Sequence, residues 1–320
     1  MALRFDQPVP NGGYAWWYID AISDDGNHGL TLIAFIGSVF SPYYAWARRK
    51  YGAENVNADN HCAINVALYD LSTNRRGVNA WAMTERPRAK CNRTATTFNV
   101  GPSSLEWRAG ELLINIDERC APIPRRLRGT ITLSPSLAHE AHDHTVAIDN
   151  DSHHLWQPLA PSARVSLDLD RPKLAWQGHG YLDSNRGDAP LEGTFNSWQW
   201  SRARLADGST VALYDVHHAT GSRKQLAHRY LPTGEREIIA LPAHCVLPTT
   251  SWGIARRTQS DGNLAPTLVK TLENGPFYAR SLLSTDLLGE RVQAVHESLS
   301  LTRFASPVVQ AMLPFRMPRW

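Results

Sequence analysis

Short runs of apolar and aromatic residues recur along this chain, and turn residues separate most of them. Residues 14–22 form one such run and residues 30–39 the next, with Ser-Asp-Asp-Gly-Asn between them. No long amphipathic helix pattern accompanies these runs. Turn-separated strands at this spacing are typical of antiparallel barrels and sandwiches, so the sequence predicts an all-β fold.

A weak internal repeat indicates two related halves. At one constant offset, five residues of the first half match five of the second: Trp16, Tyr18, Ala21, Asp25 and Gly26 match Trp198, Trp200, Ala203, Asp207 and Gly208. The repeat favours two tandem β domains, residues 1–170 and 171–320, over one large domain. Closed barrels hold small apolar ligands, and pockets often form where domains meet, so we expect a ligand pocket near the junction.

Charge and cysteine usage exclude several classes of protein. The chain carries 33 basic and 30 acidic side chains, a balance that does not indicate nucleic-acid binding. Cys62, Cys91, Cys120 and Cys245 are isolated from one another, so no zinc or redox motif is readable. The N-terminus lacks a signal-peptide pattern, and the longest apolar run, residues 29–40, is too short for a membrane span. We expect a cytoplasmic chain with reduced thiols and no nucleic-acid partner.

Two segments supply candidate catalytic residues. In extended chain, side chains two positions apart share a face, so Tyr181 and Asp183 point one way and His154 and Trp156 form a second such pair. Brought together in a pocket, these four side chains could protonate an apolar group. The competing interpretation is structural: a strand that runs into a turn at residues 183–188, with the aspartate capping backbone N–H groups.

Two other clusters carry chemistry-bearing residues. His139, His142 and His144 have the separations of a metal site, although a solvated loop is the simpler interpretation. Asp215 and His217 would share a strand face and form an acid–base pair or a strand-end hydrogen bond. No nucleophile elbow, phosphate loop or dinucleotide fingerprint occurs, so serine hydrolysis, phosphoryl transfer and hydride transfer are poorly supported.

Three stretches carry a family resemblance: residues 12–20 (GGYAWWYID), 29–48 (GLTLIAFIGSVFSPYYAWAR) and 180–185 (GYLDSN). They resemble the carotenoid 1,2-hydratases of purple bacteria, and the likeness spans nearly the whole chain. The Gly-Tyr-x-Asp-x-Asn pattern is shared more widely, with lipocalin-like two-domain proteins that include pericyclases. Arg186 stands where that wider group often has an aromatic residue, so the pocket lining of the wider group is not carried over.

The resemblance implies two tandem lipocalin-like domains and a cofactor-free lyase. Such an enzyme adds water to the terminal C1=C2 bond of acyclic carotenes such as neurosporene or lycopene and forms a tertiary alcohol. The H-x-W and Y-x-D pairs of the family match His154/Trp156 and Tyr181/Asp183. On this hypothesis Asp183 is the acid, positioned by His154 or Tyr181. Trp156 and Tyr181 stabilise the carbocation, and His154 orients the water.

An acyclic carotenoid substrate lies in the bilayer, so the resemblance also implies peripheral association with the inner or intracytoplasmic membrane. Residues 42–51 and 312–320 combine aromatic with basic side chains, which suits the headgroup region. The alternative for each is a packed loop or a terminal clasp. The sequence leaves the oligomeric state open.

Three other functions remain open from the sequence. The first is a non-catalytic lipocalin-like carrier of an isoprenoid, which needs the pocket but no acid. The second is a cofactor-free cyclase or pericyclase acting on a polyene. The third is a metal-dependent hydrolase built on His139, His142 and His144.

Overall fold

The structure is a computed structural model that describes residues 4–72, 79–136, 143–262 and 264–320. Antiparallel strands dominate these residues, and the predicted all-β fold is confirmed. The described residues form two compact units, the first from residues 4–72, 79–136, 143–190 and 310–320 and the second from residues 191–262 and 264–309. No helix within these residues is both long and apolar enough to cross a membrane.

The first unit contains one large sheet and a helix. The strands follow the order β4-β3-β2-β1-β12-β11-β9-β8-β7-β6-β5, and β10 pairs with β11 outside this path. The elements are β1 (Tyr14–Ser23), β2 (His28–Ile36), α1 (Pro42–Tyr51), β3 (Cys62–Asp70), β4 (Ala80–Arg86), β5 (Cys91–Arg93), β6 (Thr97–Val100), β7 (Ser103–Arg108), β8 (Glu111–Arg119), β9 (Arg126–Pro135), β10 (Val146–Ala147), β11 (His154–Arg171) and β12 (Leu174–Gly187), with 3-10 turns at Ala53–Asn55, Ala58–Asn60 and Arg88–Lys90.

Helix α1 occupies the aromatic and basic segment at residues 42–51. The side chain of Ser41 accepts hydrogen bonds from the first-turn N–H groups, and Pro42 fills the first helical position, where no N–H is needed. Gly52 ends the helix at a φ of 82°, a conformation that favours glycine. The last turn carries Arg48 and Lys50, whose charges complement the helix dipole.

Residue 170, near which the sequence places a domain boundary, lies within the first unit. Strands β11 and β12 form a hairpin in which Leu169 pairs with Leu174, so residue 170 lies at its turn and both strands belong to one sheet. The two units instead divide after Pro190. Sequence composition does not mark this position, because the division is set by which strands share hydrogen bonds.

Strand β1 separates two environments within the first unit. One face packs Trp17, Ile19 and Ala21 into the main apolar core. Because side chains alternate across a strand, Trp16 and Tyr18 project from the opposite face, and they are buried as well. The strand is therefore buried on both sides, although it belongs to an antiparallel sheet. Its second face carries the polar and aromatic groups of the candidate site.

The second unit contains a sheet in the order β16-β15-β14-β13-β21-β20-β19 and a separate pair of strands, β17 and β18. Its elements and the helices that follow are α2 (Leu191–Thr194), β13 (Phe195–Arg204), β14 (Thr210–His218), β15 (Arg223–Tyr230), β16 (Arg236–Ile238), β17 (Ala243–Leu247), β18 (Arg256–Ser260), β19 (Thr267–Asn274), β20 (Tyr278–Leu287), β21 (Glu290–Ser300), α3 (Leu301–Phe304) and α4 (Pro307–Met312), with a 3-10 turn at Leu313–Phe315.

The internal repeat corresponds to equivalent hairpins in the two units. In the first unit β1 lies between β2 and β12, and in the second β13 lies between β14 and β21. Gly26 and Gly208, which match in the repeat, adopt φ angles of 70° and 85° in the two hairpin turns. Residues with a Cβ rarely adopt such angles, which explains the glycine in both copies.

The interior of the second unit is partly polar. His296 is fully buried on β21, with Nδ1 sharing a hydrogen bond of 2.8 Å with Ser201 and Nε2 one of 3.2 Å with Ser298. Burial, together with the positive charge of Arg256, lowers the pKa of His296 to about 3. The imidazole is therefore neutral at physiological pH and serves as a hydrogen-bonded core group.

Candidate active site

The four predicted site residues lie on two neighbouring strands of the first sheet. His154 and Trp156 are at the start of β11, and Tyr181 and Asp183 are on β12, its antiparallel partner. The exposed fraction is 0% for His154, Trp156 and Tyr181 and 2% for Asp183. The structure thus brings all four side chains to one buried face, where the alternation argument had placed each pair.

Two donors converge on one oxygen of the Asp183 carboxyl group. The indole N–H of Trp156 donates to Oδ2 over 2.8 Å, and the hydroxyl of Tyr181 donates to the same atom over 2.9 Å. The other oxygen, Oδ1, receives a long contact of 3.4 Å from the amide nitrogen of Asn185. The two oxygens therefore differ in these contacts: Oδ2 accepts two short hydrogen bonds, and Oδ1 accepts one long one.

The turn predicted at residues 183–188 does not form there. Strand β12 continues through Gly187, because β1 pairs with it on one side and β11 on the other. Asp183 is consequently an interior strand residue and does not cap a turn.

His154 is positioned by groups on β1 and β12. Its Nδ1 shares a hydrogen bond of 2.9 Å with the hydroxyl of Tyr14, and the two rings stack with centroids 5.8 Å apart. Burial, reinforced by the carboxylates of Asp149 and Asp188, raises the pKa of Tyr14 well above its ordinary value, so this residue remains a phenol. Gly187 lies opposite both rings, and a Cβ there would be 2.7 Å from the Tyr14 ring and 2.8 Å from Nδ1.

Further aromatic side chains extend this face of β1. The rings of Tyr14 and Trp16 stack at 4.8 Å, and Trp16 lies 6.1 Å from both Phe35 and Phe40. The carboxyl group of Asp183 is thus part of an apolar, aromatic surrounding, in which electrostatic effects are stronger than in water. Such an arrangement suits acid chemistry on an apolar group.

The model of one protein family, described as the carotenoid hydratase CrtC, matches residues 32–320 of the chain. The chain belongs to the CrtC carotenoid hydratase family. Membership makes it a hydro-lyase, and the enzyme class predicted from the sequence is confirmed.

Relatives of this hydratase-family chain share high identity over most of their length. An acyclic carotenoid 1,2-hydratase from Thiocapsa roseopersicina is 52% identical over 99% of this chain and 75% of the relative. The enzyme of the same name from Rubrivivax gelatinosus is 46% identical over 99% of this chain and 76% of the relative. A third, from Cereibacter sphaeroides, is 36% identical and covers 90% of this chain and 98% of its own length.

Solved structures support the fold at low sequence identity. A protein of the AttH type from Nitrosomonas europaea aligns with a TM-score of 0.62 at 14% identity, covering 94% of this chain and 97% of the other. Kievitone hydratase from Nectria haematococca aligns with a TM-score of 0.55 at 11% identity, covering 94% of this chain and 93% of the other. These likenesses show a shared architecture, which agrees with the predicted lipocalin-like class.

Sequence reasoning missed a second Tyr-x-Asp pair on β1. Tyr18 lies directly opposite Asp183 in the β1–β12 register, and Asp20 lies opposite Tyr181. The hydroxyl of Tyr18 donates to Oδ2 of Asp20 over 2.8 Å, and the two tyrosine rings meet edge to face at 6.2 Å. The repeated Tyr-x-Asp spacing is the sequence signal for this pair, but only the strand register makes the two copies neighbours.

The other sequence candidates are not assembled into a site. Asp215 and His217 do share a face, with 3.6 Å between Oδ1 and Nε2, but both carboxylate oxygens of Asp215 bind Arg223. His139 and His142 lie outside the described residues. Within the described ranges, no three His, Cys, Asp or Glu side chains are grouped as metal ligands.

A surface cavity of about 220 Å³ lies on the opposite face of the same strands. Ser184 and Arg186 line it, and these residues alternate with Asp183 along β12. Tyr14 and Gly187, which contact or face His154, also border the cavity, whereas the Asp183 side chain lies on the other face of β12.

The tail takes the form of the clasp that the sequence offered as an alternative. Arg319 forms an isolated parallel bridge with Glu85 on β4, and its guanidinium binds the Glu85 carboxylate. The backbone N–H of Glu85 donates to the carbonyl oxygen of Pro318 over 2.9 Å, and the backbone N–H of Trp320 donates to the carbonyl oxygen of Glu85 over 3.0 Å. Arg316 lies 4.2 Å from the centre of the Trp81 ring.

Proposed function

We propose that this chain hydrates the terminal C1=C2 bond of acyclic carotenes such as neurosporene or lycopene, with Asp183 as the acid. The observation that carries the proposal is the buried carboxyl group of Asp183 with two donors on a single oxygen. Family membership supports the reaction class.

The first step needs a strong acid, because an isolated alkene is a very weak base. Burial opposes ionisation of a carboxyl group, and the neutral acid is the form that can protonate an alkene. Since Oδ2 of Asp183 accepts hydrogen bonds from Trp156 and Tyr181, the acidic proton resides on Oδ1. The same two donors stabilise the carboxylate that remains after transfer, which lowers the barrier.

Protonation at C2 leaves a tertiary carbocation at C1. The aromatic faces of Trp156 and Tyr181 stabilise this charge, since a desolvated cation–π contact contributes roughly 2 kcal/mol or more. Both residues are fully buried beside the acid. Water then attacks C1, oriented by His154, and the surplus proton returns to Asp183. The hydroxyl of Tyr14 engages Nδ1 of His154 and holds the imidazole in place.

We also propose that the protein docks on a membrane surface, since a carotene is dissolved in the bilayer. Arg49 of helix α1 donates a hydrogen bond to Gln310 on α4, just before the tail at residues 312–320. The exposed aromatic residues of this region are Trp46, Tyr51, Phe315 and Trp320, at 37%, 57%, 81% and 71% exposure. Aromatic rings near basic side chains favour the interface between headgroups and acyl chains.

Liposome flotation tests the docking surface. The double variant Phe315→Ser and Trp320→Ser leaves the Arg319 clasp intact. We expect this variant to show a smaller membrane-bound fraction than the wild type. The matched control replaces Ile238 and Val246, which are exposed apolar residues of the second unit. Equal flotation of the two variants would rule out the tail.

Incubation of purified protein with lycopene in lipid vesicles, without added cofactor, tests the reaction. We expect a product heavier by one water with a tertiary hydroxyl group at C1. A product of unchanged mass would indicate cyclisation instead. Binding of lycopene without any product would indicate the carrier function.

A further inference from the structure

Asn185 presents a buried hydrogen-bond acceptor beside the proposed acid. Its side chain is 2% exposed, and its Nδ2 makes the contact of 3.4 Å with Oδ1 of Asp183. Its amide oxygen accepts no hydrogen bond within the described part of the chain. A buried carbonyl oxygen without a donor is costly, so such an atom normally binds an ordered water or a ligand group.

The position of Asn185 suits a water that also contacts His154. Asn185 lies directly opposite Trp156, and His154 lies opposite Gly187, so Asn185 and His154 are diagonal neighbours across β11 and β12. Diagonal residues of an antiparallel pair have Cα atoms about 7–8 Å apart, and a single water can bridge polar side chains over this separation. The third neighbour of such a water is the carboxyl group of Asp183.

We propose that Asn185 holds the water molecule that captures the carbocation, an inference that rests on the hydration proposed above. The Asp183 Oδ1–H bond breaks as its proton joins C2 and the C1=C2 π bond is lost. The water held by Asn185 Oδ1 forms the C1–O bond, and one of its protons passes to the Asp183 carboxylate. The acid is regenerated, and Asn185 neither gains nor loses a proton.

A held water decides the fate of the carbocation. The cation at C1 either captures water or returns a proton from C2 to the carboxylate and becomes substrate again. Placing the oxygen within reach of C1 before protonation favours capture, because no diffusion step is then needed. Without a held water the return reaction dominates.

The experiment measures both fates in deuterium oxide. Returned substrate carries deuterium at C2, and captured cation appears as alcohol, so their ratio reports partitioning of the cation. Leucine has a side chain of similar volume with no polar atom. In Asn185→Leu we expect the rate of alcohol formation to fall about 100-fold while the rate of deuterium incorporation changes less than about threefold. Asn185→Ser, which keeps a polar group and leaves space for a water, should show an intermediate ratio.

Asn65→Leu is the matched control. Asn65 is also a buried asparagine of the first sheet, and its Nδ2 donates to the carbonyl of Ala82 over 3.0 Å. Losing that structural bond lowers the amount of folded enzyme, so alcohol and deuterium incorporation should fall by the same factor.

Several outcomes overturn the inference. The inference is wrong if Asn185→Leu forms alcohol at a rate within twofold of the wild type. It is also wrong if folded Asn185→Leu protein loses alcohol formation and deuterium incorporation by the same factor. If the leucine variant does not fold, an unchanged ratio in Asn185→Ser overturns it. A wild-type protein that gives neither alcohol nor exchange overturns the hydration proposal and this inference together.

Discussion

The indole N–H of Trp156 donates to Oδ2 of Asp183 across the β11–β12 pairing, over 2.8 Å. Tyr181 donates to the same oxygen from its own strand. This convergence distinguishes the two oxygens of one carboxyl group, and in the mechanism proposed above the proton is carried by Oδ1.

Asp183→Asn keeps the shape of the side chain and removes the acid. We expect turnover to fall by about 10²–10⁴-fold, the usual contribution of a general acid, with the fold intact by circular dichroism. Asp188→Asn is the control, because Asp188 is half exposed at the end of the same strand and pairs with His153. Near-normal turnover in Asp183→Asn would remove the assignment of the acid.

Trp156→Phe and Tyr181→Phe each remove one donor to Oδ2 and keep an aromatic ring. A hydrogen bond to a charged group contributes about 1.5–3 kcal/mol, so each variant should lose roughly 10–100-fold in kcat. The effect should fall on kcat with little change in KM, since the bonds strengthen as the carboxylate forms. A change confined to KM would show that these residues only bind the substrate.

Gly187→Ala introduces a Cβ between Tyr14 and His154, where the structure leaves no space. We expect displacement of the imidazole to lower turnover about 10–100-fold, because small errors in the position of a reacting group are costly. Gly193→Ala is the matched control, since a Cβ at that position meets no atom within 4 Å. Equal activity of the two variants would show that the position of His154 does not matter.

His296 predicts an acid-dependent loss of stability in the second unit. Its pKa of about 3 in the folded chain lies below the ordinary value of 6.5, so folding favours the neutral ring. This contribution to the free energy of unfolding is complete above pH 6.5 and is lost as the pH falls towards 3. The loss amounts to about 3 kcal/mol by pH 4. Denaturant unfolding between pH 7 and pH 4 should show this loss in the wild type and a smaller one in His296→Gln. Parallel pH curves would contradict the prediction.

Local pattern selected the four candidate side chains but left their structural interpretation open. The positions of Tyr181 and Asp183 on one face follow from strand alternation, which is a property of a single segment. The same reasoning failed at residues 183–188, where Asp-Ser-Asn-Arg-Gly has the composition of a turn. Pairing with strands on both sides overrode that local preference, as tertiary contacts often do in sheets.

The sequence by itself determined the all-β class, the repeated hairpin and the faces on which the candidate side chains lie, because these depend on residues close together in the chain. Only the tertiary structure decided that Tyr14 engages His154, that Tyr18 lies opposite Asp183 and that Asn185 faces Trp156. The β1–β12 contacts join residues that are distant in sequence, and their register is set by packing of the shared core. No local pattern encodes that register.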